Sequence, residues 1–91
     1  METDAVSQFV RDAIAALDAL GARDETEYLR MMLEYDGPDV DGAVSSLVKY
    51  GAVTGAWVDR LAAINDAEDG FFDDELAELR EGISTTEAPA A

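Results

Sequence analysis

Apolar residues recur along this chain at the three- and four-residue spacing of amphipathic helices, and short polar, glycine-containing breaks separate the runs. From about Asp4 to Leu20, the residues Val6, Phe9, Val10, Ala13, Ile14, Leu17 and Leu20 form one stripe, with Asp4, Gln8, Arg11, Asp12 and Asp18 opposite. Thr3 is placed to cap this helix, and Gly21 to end it. A second helix is expected from about Asp24, where Asp24 and Glu27 have the spacing of a capping box. Its residues Tyr28, Leu29, Met31, Met32, Leu33 and Tyr35 are apolar almost all round. Such a helix is either central to the core or turns one face to a partner.

Gly37 and Pro38 break the pattern. A third helix is expected from about Asp41 to Tyr50, with Val40, Ala43, Val44, Leu47 and Val48 inward and Gly51 as its stop. Thr54 is then placed to cap a fourth, whose apolar face is Trp57, Val58, Leu61, Ala62 and Ile64. Asn65 to Gly70 reads as a linker, and a last short helix is expected from about Phe72 to Glu81, its stripe Phe71, Phe72, Leu76, Leu79 and Ile83. Asp73, Asp74 and Glu75 in its first turn suit the helix dipole. This helix either closes the bundle or docks on a partner. The pattern as a whole predicts an all-α fold: a compact bundle of four to five short helices, organised around the helix-corner-helix of Ala43 to Ile64. A single helical domain is expected over 1–83, followed by a disordered tail over 84–91.

Charge changes the picture most. Lys and Arg number 6 against 21 Asp and Glu, a formal net charge of -15. Acid this dense repels itself and opposes the compact state. Salt relieves that repulsion, because the screening length falls from about 10 Å at 0.1 M to about 3 Å at 1 M. Aspartate- and alanine-rich, lysine-poor composition therefore implies a chain suited to concentrated salt, as in halophilic archaea or their viruses. The alternative is an acidic surface that imitates nucleic acid or grips a basic partner. With 48% hydrophobic residues in clear periodicity, disorder of the whole chain is not expected. The same sign argues against direct nucleic-acid binding and against anionic membrane surfaces. No run of about 18 apolar residues is present. The opening METDAVSQ is polar and acidic, unlike a secretory leader, so a soluble, cytoplasmic protein is expected.

Candidate chemistry is sparse. There is no cysteine and no histidine, which removes disulfides, haem ligation and the usual zinc donors. Asp39-Val40-Asp41-Gly42 and Asn65 to Gly70 have fragments of a calcium-loop pattern. In register, however, position twelve falls on Val48 and on Leu76 instead of glutamate, so capping and turn chemistry is the expectation for both. Ser46-Leu47-Val48-Lys49 matches Ser-x-x-Lys without the partner motifs of that enzyme class. The helix-corner-helix has the outline of a DNA-reading unit, but its second helix offers Asp59, Arg60, Asn65 and Asp66. No catalytic residue, metal ligand or cofactor is assigned, and the chain is not expected to be an enzyme. Its expected partner is another protein, a homodimer remaining open, with Met31, Tyr35, Trp57, Phe71 and Phe72 as the candidate partner-binding residues.

Leu47, Tyr50-Gly51, Val53-Thr54 and Leu61 fall in an order that resembles the D/E-type accessory domain of the archaellum, the archaeal swimming organelle. Tyr28 to Leu33 resembles the apolar helix that precedes it there, so the likeness spans roughly 28–64. The chain differs at Ala52, where the family tends to have an aromatic, and at Gly55-Ala56, where it tends to have acids. The resemblance implies a cytoplasmic, non-catalytic adaptor between motor and chemotaxis signalling. A nucleic-acid-mimicking decoy is the competing function, and it requires carboxylates in rows on one face.

Overall fold

The computed structural model describes residues 5–86, with side chains through 83. Five helices make up the described chain: α1 (Ala5–Ala19), α2 (Arg23–Tyr35), α3 (Val40–Lys49), α4 (Gly55–Ala67) and α5 (Asp73–Thr86). The all-α bundle is as the pattern predicts. The candidate cap Thr3 and residues 87–91 lie outside the described part. Residues 84–86, assigned above to the tail, continue α5.

Helix ends follow local hydrogen bonding. After α1, the Ala22 amide donates to the Leu17 carbonyl and the Gly21 amide to that of Asp18. After α3, Ala52 donates to Leu47 and Gly51 to Val48 in the same way. Both ends are Schellman motifs, and Gly21 and Gly51 hold the left-handed φ these motifs require, 80° and 65°. Leu20, placed in the first stripe by its spacing, falls in the turn beyond α1 and is 53% exposed.

The capping box does not form. The reversal after α1 delivers the chain into α2 with Ala22 at the N-cap, where its carbonyl accepts from the Thr26 amide. Asp24 and Glu25 therefore lie inside the first turn, where the dipole still favours them. Asp39 caps α3, accepting from the Gly42 amide at 2.9 Å. Thr54 holds the N-cap position of α4, but its side chain makes no capping bond.

The core is built mainly from α1, α3 and α5. Phe9, Val10, Ala13, Ile14 and Leu17 of α1 are buried with Ala43, Val44 and Leu47 of α3 and with Leu76 and Leu79 of α5. Ala22, Leu29, Val40, Val53, Leu61 and Phe72 complete it. Packing differs from the expected hub. α3 and α4 make no backbone contact with one another; each packs instead on both α1 and α5. The corner is real, but it carries the chain across the bundle between two non-adjacent positions. α1 and α3 each touch three other described helices, α1 packing on α2, α3 and α4 and α3 on α1, α2 and α5. Among the described helices, α2 packs on α1 and α3 alone. It runs antiparallel to α3, since Glu25 meets Lys49 while Leu29 lies against Gly42.

Candidate protein-docking face

α2 has two apolar faces. Thr26 and Leu29 are buried against α1 and α3, with Leu33 half-buried beside them. Thr26, fully enclosed, satisfies its hydroxyl on the Arg23 carbonyl at 3.0 Å. Tyr28, Met31 and Tyr35 point elsewhere: at about 100° per residue their positions fall within a sector of about 60°. They are 47%, 48% and 77% exposed. The result is a row of two tyrosines and a methionine spanning two turns, exposed on the outer side of the helix among the described residues.

Acid borders this row. Asp24 shares its sector by spacing, and the Tyr28 hydroxyl is held above its ordinary pKa chiefly by the negative charge of Asp39, with Asp36 and Asp41 adding to the effect. The two arginines of α2 lie more than about 100° round the helix from the centre of the row. Arg30 reaches Asp18 of α1 at 3.8 Å, and with Arg11, Glu34, Ile14 and Leu33 it lines an open groove of about 560 Å³ between α1 and α2. Opposite charges are interleaved in that groove, so it presents no field of one sign.

A polar cluster joins α2 to α3. Glu25 accepts from Lys49 Nζ at 2.9 Å and from the Tyr50 hydroxyl at 3.1 Å. The lysine hydrogen bond is the main cause that holds the Glu25 carboxyl below its ordinary pKa. Lys49 and Tyr50 are both raised by the same carboxylate. Lys49 of the Ser-x-x-Lys match is therefore an ion-pair partner, and Ser46 is buried in the helix interface.

The other sequence-predicted site residues separate. Trp57 is half-buried, its ring edge-on to Phe9 of α1 at 5.4 Å. Arg60 lies 5.6 Å from both rings and pairs with Asp12 at 2.7 Å. Trp57 thus belongs to the seam between α1 and α4. Phe71 and Phe72 are adjacent in sequence but opposite in role. Phe71 is 77% exposed, whereas Phe72 is 8% exposed and belongs to the core, so it is withdrawn as an exposed anchor. The rings meet edge to face at 4.9 Å.

Asn65 produces that split. It is 7% exposed at the end of α4. Its Oδ1 accepts from the Phe72 amide at 2.6 Å, and its Nδ2 donates to Asp73 at 2.7 Å. The loop turns through left-handed backbone at Asp69 and Gly70. Fixing the Phe72 amide to α4 directs that ring inward and leaves Phe71 on the outside. Asp39 and Asn65, the anchors of the two calcium-like fragments, are thus engaged in capping and turn bonds. Among the described residues no group of three or more acidic side chains has the geometry to hold a metal ion. No described helix is long and apolar enough to cross a membrane.

Of the five residues named from sequence, the structure keeps Met31 and Tyr35 on one face and leaves Phe71 exposed on a separate loop. It adds Tyr28, whose i, i+3, i+7 relation to Met31 and Tyr35 was present in the pattern. No protein-family model, no curated protein and no solved structure matches the chain.

Proposed function

We propose that the chain is a non-catalytic protein–protein interaction module and that it meets its partner through the outer face of α2. The observation that carries this reading is the exposed row of Tyr28, Met31 and Tyr35. A helix held by one face while a second apolar face stays open is the arrangement expected of a docking element. Tyrosine contributes much to interfaces of this kind, and methionine adapts to irregular partner surfaces.

The acidic character fits adaptation to salt in a cytoplasm of a halophilic host. Carboxylates occur on all five helices and in the loops around Asp36, Asp39, Glu68 and Asp69, and none of the described ones is buried. Spread of this kind favours a salt-adapted surface over a decoy, which needs its acids ranked on one side. The archaellum D/E resemblance supplies the candidate pathway, an adaptor of the motility and chemotaxis machinery.

The test is capture from host lysate at native salt, with wild type, Met31→Ser/Tyr35→Ser and Phe71→Ser compared. The reading expects specific partners to be lost with the α2 variant and retained with the loop variant. Partners retained by the α2 variant, or eluted by modest added salt from every variant alike, would contradict it.

A further inference from the structure

The α2 face has a sign as well as a shape, and the sign restricts what can cover it. This inference rests on the docking reading above and concerns the partner's chemistry. Asp24 lies in the row itself, and Asp36, Asp39 and Asp41 act on the hydroxyl end of Tyr28. Arg23 and Arg30 project from another side of the helix, Arg30 toward Asp18. The row is therefore apolar along its centre and anionic at its borders.

A second copy of this chain is a poor occupant. It would bring another formal charge of -15 against the first and set like borders against each other. An anionic peptide meets the same repulsion. We propose that the occupant is a cationic amphipathic helix of another protein, with apolar side chains at i, i+3 or i+4, and i+7 laid along Tyr28, Met31 and Tyr35, and with Lys or Arg at its edges facing the aspartates. Helices dock in this mode by their apolar anchors, and complementary charge sets orientation and excludes wrong partners.

The experiment is isothermal titration of the full chain with two synthetic peptides sharing one amphipathic leucine pattern, the polar face lysine in one and glutamate in the other. It is run at about 1 M KCl, where charges still act over about 3 Å. The lysine peptide is expected to bind. Met31→Ser/Tyr35→Ser, both exposed positions whose helix content circular dichroism verifies, is expected to weaken it about tenfold or more. Phe71→Ser is expected to change it less than twofold. If the glutamate peptide binds as well and responds to the α2 variant, the face is a docking site but the cationic partner is wrong. If the lysine peptide binds every variant equally, general attraction to acid explains it, and both the partner class and the docking face fall.

Discussion

Replacing Asn65 with alanine isolates the contribution of one buried amide. Its carbonyl oxygen is the acceptor of the Phe72 amide, and its nitrogen donates to Asp73. Alanine removes both bonds and leaves the Phe72 N–H without its acceptor at a buried site. An orphaned buried donor costs about 1–3 kcal/mol, and a bond to a charged group contributes about 1.5–3 kcal/mol. Allowing for water at the exposed Asp73, the expected loss is about 3 kcal/mol, or a fall in Tm of about 12–24 °C for a domain of this size. Against a total stability of about 5–14 kcal/mol for such a chain, that is a large fraction. The aspartate variant differs in kind. It keeps an acceptor for Phe72 but sets a second carboxylate where Nδ2 now lies 2.7 Å from Asp73, so its deficit should shrink in salt, while that of the alanine variant should not. Urea unfolding followed at 222 nm, at about 0.3 M and about 2 M KCl, separates the two. An alanine variant within about 1 kcal/mol of wild type would refute the argument that this amide fixes the loop.

Three further outcomes are expected. A Cβ at Gly82 would come within 2.9 Å of Val48 Cγ2 on α3, so Gly82→Ala should destabilise by about 1–2 kcal/mol despite its better helix propensity. In a Val48→Ala background the same change should become neutral or stabilising, and a double-mutant unfolding cycle reads the coupling. Thermal unfolding followed by circular dichroism should show Tm rising between about 0.1 M and 2 M KCl, because screening weakens the repulsion of a chain at -15; a Tm that falls would contradict salt adaptation. Lys49 and Tyr50 have raised pKa values beside Glu25, so the folded state holds their protons more tightly than the unfolded chain does. Their stabilisation is complete below the unfolded values of 10.5 and 10.0 and is lost as pH rises through the folded ones. Glu25, lowered, contributes above its unfolded value of 4.5 and loses that contribution as pH falls through the folded one. Tyr50→Phe should therefore make the alkaline limb of a stability–pH curve less steep.

The helices were legible wherever a stripe was sustained. Phe9 to Leu17 keeps one face over more than two turns, and Ala43 to Leu47 and Leu76 to Leu79 over more than one, and each is buried as its spacing predicts. Boundaries were less so, because neighbouring turns set them. Asp24 and Glu27 have the spacing of a cap, but the reversal at Gly21 had already fixed the start of α2 at Ala22. The exposed face of α2 was half legible. Apolar residues all round α2 admitted a central or a peripheral helix, and only packing on α1 and α3 alone decides that Met31 and Tyr35 stay outside. Trp57 is half-buried and Phe72 buried for the same reason: a large aromatic at the edge of a stripe reads as exposed until its neighbours, Phe9 and Asn65, are in place. Asn65 left little trace, since a polar residue before Asp66 and Glu68 has the composition of a linker. Gly82 left none, because its meaning lies in the approach of Val48 from another helix.

The claim that α2's outer face meets the partner is tested most directly by methyl NMR of the chain with carbon-13 in its methionine methyl groups, since Met31 lies in the exposed row and Met32 beside it is half-buried. On adding a partner captured at native salt, the Met31 methyl should shift or broaden first and most. A complex that forms while the Met31 signal stays in place would contradict the account.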